Sequence, residues 1–216
     1  NVGDRLVIPN LSNTFSCLIK NGLEDFYSGE VFSKIISDLN NLGSPLNSDD
    51  FKNYKATFVD PLELKIKNAK LFNLPPPTQG LASILILGLL DELSITCKND
   101  VELIHNIVEI TKAVFKIRDK YISDPRYMSF HVSEFLTKDF IKKLAKEINF
   151  EKATPWPVSS LGGDTVWLGA TDAYGNTISF IQSIYWEFGS GLVLPNPCIT
   201  MQNRGVSFSL DPKNHN

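Results

Sequence analysis

Leu161-Gly162-Gly163-Asp164-Thr165-Val166-Trp167-Leu168-Gly169-Ala170-Thr171-Asp172-Ala173-Tyr174-Gly175-Asn176-Thr177-Ile178-Ser179-Phe180-Ile181-Gln182-Ser183 is the stretch where the chain changes character. Thr165 to Thr171 mixes β-branched with large apolar residues, as a strand requires. Asp172-Ala173-Tyr174-Gly175-Asn176 is turn chemistry, and Thr177 to Tyr185 roughly alternates apolar and polar side chains. The reading is a β-hairpin entered from a flexible lead, Pro155 to Gly163, in which prolines, serines and glycines show no periodicity.

Upstream of the hairpin the spacing is helical. Leu11, Phe15, Leu18 and Ile19 share one helical face that Gly22 closes. Val31, Phe32, Ile35, Ile36 and Leu39 repeat the pattern up to Gly43, and Ser48 caps a short turn carrying Phe51 and Tyr54. Phe58-Val59 and Leu62 to Ile66 read as two extended pieces of a small hairpin around Asp60-Pro61, and Pro75-Pro76-Pro77 reads as extended. An apolar helix runs from Gly80 to about Leu93. The longest helix opens at Asp100, with Val101, Ile104, Val108, Phe115 and Ile122 as its buried side, and the helical charges read as solvated faces. Thr137 caps a last helix carrying Phe140, Ile141, Leu144 and Ile148. The fold class is therefore α+β: a helical part over 1–155, a linker over 156–164 and the opening of a β region over 165–216.

Composition narrows the function. The chain has 216 residues with 21 basic and 24 acidic side chains, a net charge of −3. A nucleic-acid binder normally carries a basic surplus, so no nucleic-acid partner is expected. The apolar run Leu81 to Leu90 is too short to span a bilayer, and no membrane segment is evident. Cys17, Cys97 and Cys198 are scattered without a C-x-x-C pair, which argues against a zinc site or redox dithiol and suits a reducing compartment. The chain lacks an initiator Met and ends in a polar tail, so both ends read as cuts in a longer chain, and a secretion signal upstream stays open.

Familiar catalytic patterns are missing: no G-x-S-x-G elbow, H-E-x-x-H, P-loop or Rossmann glycine pattern occurs. His105, His131 and His215 read as structural or surface residues. Thr165 admits two readings. It is a β-branched residue opening a strand, or it becomes a nucleophile once the chain is cut before it. In the second case the hydroxyl attacks and the freed α-amine, with an ordinary pKa near 8, takes the proton. No histidine is then needed.

Read as a block, Asp164 to Ser183 resembles the start of the small subunit of the γ-glutamyltranspeptidase family of N-terminal-nucleophile (Ntn) hydrolases. The resemblance continues through Phe188-Gly189-Ser190-Gly191 and Gln202 to Pro212. Upstream, Gly3-Asp4-Arg5, Phe26 to Glu30, Asp50 to Tyr54, Val59 to Leu62, Pro75 to Gly80 and Ser123 to Tyr127 resemble the second half of the family's large subunit, in order. It implies a parent fold that is a four-layer αββα sandwich, of which this chain holds the helical part and the first strands.

The resemblance implies that Thr165 is the nucleophile, freed by self-cleavage of the Asp164-Thr165 bond. It implies an acyltransferase or amidohydrolase that needs no metal or organic cofactor and acts on a small-molecule or peptide substrate. The remainder of the precursor is its implied partner, through large- and small-subunit pairing. Ser183 falls where a hydroxyl neighbour of the nucleophile is expected. Tyr185, Arg204 and Ser207 fall where typical members hold the γ-glutamyl α-amino group with Asn, Gln and Asp, and Val166 replaces a second Thr. A cation replacing an ammonium-binding set favours an anionic, glutaryl-like acyl group; a structural ion pair is the other reading of Arg204. The arginine that grips the donor carboxylate and the oxyanion-hole glycines would lie outside residues 1–216. The alternative to an enzyme is an uncleaved, catalytically silent homologue acting as a binding or scaffold protein.

Overall fold

The computed structural model describes residues 2–156, 165–208, 210 and 211, which fall into two compact units. The linker residues 157–164, Asp164 among them, lie outside the described residues. The first unit takes described residues from both sides of that linker, up to Thr57 and from Thr165 to Ser207; the second is built on residues from Phe58 onward.

In the first unit Pro9 at the first helical position opens α1 (Pro9–Asn21), and Gly22 ends it at φ +90°. Leu11 and Leu18 are half-buried, but Phe15 and Ile19 of the expected face stand exposed. A short α2 (Asp25–Ser28) leads into α3 (Glu30–Asn41). The Asp25 carboxylate accepts the backbone N–H groups of Glu30 at 3.0 Å and Val31 at 2.8 Å, supplying the partners that a helix start lacks. A Cβ on Gly29 would meet that carboxylate at 2.0 Å, so glycine is the residue that fits between them. In α4 (Ser48–Lys52) the cap is Asn47, one residue before the expected Ser48: its side chain accepts from Asp49 N while Asp50 reaches back to Asn47 N.

In the second unit β1 (Leu62–Lys65) pairs antiparallel with β2 (Lys70–Asn73). The hairpin thus lies downstream of Pro61, not around it. Ile66 and Ala69 close the turn with a hydrogen bond, whereas proline at 61 has no N–H to offer a ladder. The three prolines do not run straight either: Pro76-Pro77 is cis and Thr78 N bonds back to Pro75 O. Then follow α5 (Gly80–Leu93), α6 (Asp100–Tyr121) and α7 (Lys138–Glu147), the last capped by Thr137 as the sequence predicts. Leu81, Ile84, Leu85 and Leu89 of α5 form the centre of the core, with Leu62, Leu64, Ile110, Val114, Ile141 and Leu144 around them. Burying each such side chain contributes about 1.5–3 kcal/mol.

The buried face of α6 matches the predicted one only in part: Phe115 and Ile122 pack half-buried against the core. Val101, Ile104 and Val108 are exposed, while Asn106, Glu109, Ile110, Val114 and Ile117 face inward. Both stripes repeat every three to four residues, so periodicity alone does not choose between them. Glu109 also corrects the expectation of solvated charges. It accepts from Lys112 Nζ at 2.7 Å and from Thr154 N at 3.1 Å, and Lys112 Nζ also donates to Thr154 O at 2.7 Å. Burial pushes the Glu109 carboxyl up, but these hydrogen bonds outweigh it and hold its pKa at about 2. With His105 Nε2 at 3.0 Å from Phe150 O and the Trp156 ring packed near Phe115, the clamp fixes residues 150–156 along α6.

The first unit is completed by β3 (Val166–Thr171), β4 (Thr177–Gln182), β5 (Val193–Leu194) and β6 (Ile199–Thr200). β3 and β4 form the expected hairpin, with Val166 opposite Gln182 and Thr171 opposite Thr177. The β5–β6 hairpin packs Leu194 into a second core with Val31, Ile35 and Leu39. The architecture is mixed α+β, mostly helical with small two-stranded sheets.

Candidate active site

Thr165 stands one residue before β3. The antiparallel register that pairs Val166 with Gln182 brings it opposite Ser183, one residue after β4. Its Oγ1 donates to Ser183 Oγ at 3.1 Å. Two residues far apart in sequence thus meet because the Asp172–Asn176 turn sets the hairpin's length. Asp172 organises that turn by accepting from Tyr174 N, Asn176 N and Asn176 Nδ2. The Asn176 amide, with the turn's backbone N–H groups, holds the Asp172 carboxyl below the usual carboxylate range.

Beyond Ser183 the chain turns sharply. Tyr185 adopts φ +83°, uncommon for a bulky residue, and its N–H donates to Ser183 Oγ at 2.9 Å. Arg204 opens a 3-10 turn, Arg204–Ser207, and donates from Nη2 to Ser183 O at 2.9 Å. Its guanidinium carbon lies 5.8 Å from the centre of the Tyr185 ring, within reach of a cation–π contact. The structure therefore gathers Thr165, Ser183, Tyr185 and Arg204 into one cluster. Ser207 ends the same 3-10 turn, but among the described residues no hydrogen bond joins its side chain to the other four. Asp164 lies outside the described residues.

Two residues that sequence reasoning did not single out brace the cluster. Asn203 donates its N–H to Ile184 O and accepts Trp186 N at Oδ1, and Gln202 Oε1 accepts Arg204 N. Both stand in the Gln202-Asn203-Arg204 block, which was the available signal. The cluster sits at the open end of a hairpin that is uncovered on both sides: Trp167 is 64% exposed and Phe180 50%. In the second unit a cavity of about 540 Å³ is lined by Pro75, Pro125, Met128, Phe130 and His131, none of them a predicted site residue. Among the described residues no group of three or more His, Cys, Asp or Glu side chains is arranged to hold a metal ion, and no helix is long and apolar enough to cross a membrane.

The gamma-glutamyltranspeptidase family description matches residues 1–216. The chain is 43% identical to an oxamate amidohydrolase proenzyme of Klebsiella pneumoniae over 98% of its own length and 40% of the relative's. It is 34% identical to a glutathione hydrolase-like YwrD proenzyme of Bacillus subtilis, over 99% of this chain and 41% of the relative. The chain thus spans about 40% of the length of these curated relatives. Its fold matches the crystal structure of a cephalosporin acylase from Bacillus halodurans with a TM-score of 0.79 at 33% identity, covering 95% of this chain and 38% of that one.

Proposed function

The chain belongs to the gamma-glutamyltranspeptidase family, and from that premise we propose that it is part of an Ntn-type amidohydrolase or acyltransferase whose nucleophile is Thr165. The observation that carries the reading is the Thr165–Ser183 hydrogen bond at the head of the β3–β4 hairpin, with Arg204 held on the next carbonyl. In the proposed maturation the Thr165 hydroxyl attacks the Asp164 carbonyl. The peptide C–N bond breaks, the acyl group moves to oxygen and the nitrogen becomes a free amine. Water then hydrolyses the ester, leaving Asp164 as a new C-terminus and Thr165 as a new N-terminus. The α-amine accepts the hydroxyl proton during attack on the acyl donor. The donor's amine leaves with a proton, and water or an acceptor amine releases the acyl group.

Ser183 supports this chemistry by accepting the Thr165 O–H while its own Oγ is fixed by Tyr185 N. Arg204 and Tyr185 then define the acyl pocket, with Ser207 at its edge. A guanidinium there favours an acyl part that carries a carboxylate. That matches a relative named for oxamate, a small amide bearing a carboxylate on its reacting carbonyl carbon. γ-Glutamyl and glutaryl-like amides are the wider substrate class. The two uncovered faces of the β3–β4 hairpin fit a whole protein of the relatives' length, in which further layers of an αββα sandwich cover both. Its other segments supply the oxyanion donors and form the paired subunits.

The test is intact-mass analysis of the protein at the length of its relatives. Two fragments, with a new N-terminus at Thr165, are expected, and Thr165→Ala keeps the chain whole. A single chain in both proteins would favour the uncleaved, silent homologue to which Val166, Tyr185, Arg204 and Ser207 lend weight.

A further inference from the structure

One buried carboxylate of the first unit lies far from Thr165 in sequence and takes no part in the chemistry above. Asp38, on α3, is 2% exposed. Its Oδ2 accepts Asn196 N at 2.8 Å and its Oδ1 accepts Asn196 Nδ2. Asn196 sits at the tip of the β5–β6 hairpin, and both its neighbours are held too. Asn10 Nδ2 donates to Pro195 O at 3.0 Å, and Thr14 Oγ1 donates to Pro197 O at 2.8 Å. Three successive hairpin residues are thus tied to helices that precede the proposed cut, while the hairpin itself follows it.

The hairpin leads directly to Arg204. After β6, Met201 N donates to Leu192 O at 2.9 Å, and Ser190 N donates to Met201 O at 2.8 Å. Asn203 then bonds to Ile184 and Trp186, and Arg204 to Ser183. Leu194 alone would hold the hairpin by apolar burial, which is non-directional. A buried carboxylate is costly unless its oxygens are bonded, so it holds one register and disfavours its neighbours.

We propose that Asp38 is a positioning residue for the acyl pocket: by gripping Asn196 it fixes the β5–β6 hairpin, and through it the Met201–Ser207 stretch that carries Arg204 to Ser183. The inference rests on the reading of Arg204 as the anion-binding group of that pocket.

The test uses the full-length, processed protein and two anilide donors, glutaryl and its neutral methyl ester, which differ only at the carboxyl group. Asn196→Ala removes one of the two bonds at an exposed position and keeps the backbone one, so it is the variant least dependent on folding. Asp38→Asn leaves one donor of Asn196 unmatched. The double swap, Asp38→Asn with Asn196→Asp, restores both bonds: the backbone N–H at 196 still donates to the side-chain oxygen at 38, and the side-chain bond re-forms with donor and acceptor exchanged. Asn196→Ala and Asp38→Asn are expected to raise KM for the glutaryl donor about tenfold, with kcat within about twofold and the neutral donor unaffected. The swap returns KM to near the starting value. Single variants that leave the glutaryl KM unchanged, that weaken both donors alike, or that the swap fails to rescue overturn the positioning role. Arg204→Gln separates the two layers. If it raises the glutaryl KM while the Asp38 and Asn196 variants are silent, the positioning role alone falls. If Arg204→Gln leaves the ratio of the two donors unmoved, the pocket reading falls and takes the positioning role with it.

Discussion

Replacing Glu109 by Gln removes the charge at the centre of the clamp that holds residues 150–156 on α6. Glu109 is 3% exposed and accepts from two donors, Lys112 Nζ and Thr154 N. Glutamine keeps one acceptor and turns a second donor toward one of them. The folded pKa of about 2 lies below the ordinary 4.5. At about 1.4 kcal/mol per pKa unit, that difference corresponds to roughly 3 kcal/mol of stability at neutral pH. The loss on breaking a buried pair by removing one partner is of the same order, about 3–5 kcal/mol. Because the folded pKa is depressed, the contribution is fully present above the unfolded pKa and is lost as pH falls toward 2. Near pH 3 only about 1–1.5 kcal/mol should remain. Urea unfolding of wild type and Glu109→Gln at pH 7, 5 and 3 measures this, with hydrogen exchange at the Thr154 amide as the local readout. The gap between the two proteins should be widest at pH 7 and narrow at pH 3, and the Thr154 amide should lose protection. Exchanging the pair for Glu109→Leu with Lys112→Met leaves no buried charge unpaired but removes the partners of Thr154 N and O, so it should recover only part of the loss. A gap under about 0.5 kcal/mol at pH 7, or one that does not narrow with acid, would refute the account of the clamp.

Two further outcomes follow from the packing and the hairpin turn. Leu85→Ala, at a side chain with no exposed surface in the centre of the main core, should cost about 2–5 kcal/mol, read as a lower urea midpoint at unchanged m-value. Asp172 accepts three hydrogen bonds in the β3–β4 turn and its carboxyl is held low, so its contribution persists above the ordinary carboxylate pKa and fades as pH falls through the depressed folded value. Asp172→Ala should therefore speed amide exchange at Tyr174 and Asn176 at neutral pH, and wild type should approach the variant in acid.

Much of this was legible along the chain. The caps and stops at Gly22 and Thr137 are local events, decided within a few residues. So is the β3–β4 hairpin, whose turn residues and alternation fix the register that brings Thr165 to Ser183. The choice of face on α6 was not local. Val101, Ile104 and Val108 form as regular a stripe as Ile110, Val114 and Ile117, and contact with α5 decided between them. The partner of β1 likewise depended on what the neighbouring residues paired with.

The sequence by itself determined the family, the main helices and the β3–β4 hairpin, because each is written in contiguous blocks. Only the tertiary structure decided which separated side chains meet. Arg204 reaches Ser183 across twenty-one positions, and Asp38 reaches Asn196 across one hundred and fifty-eight. Glu109 became a buried clamp because Thr154 returned to it. Such contacts arise when apolar burial brings distant segments together, and burial depends on total area rather than on sequence spacing. The polar groups caught inside then select one register, because each must find its partner there.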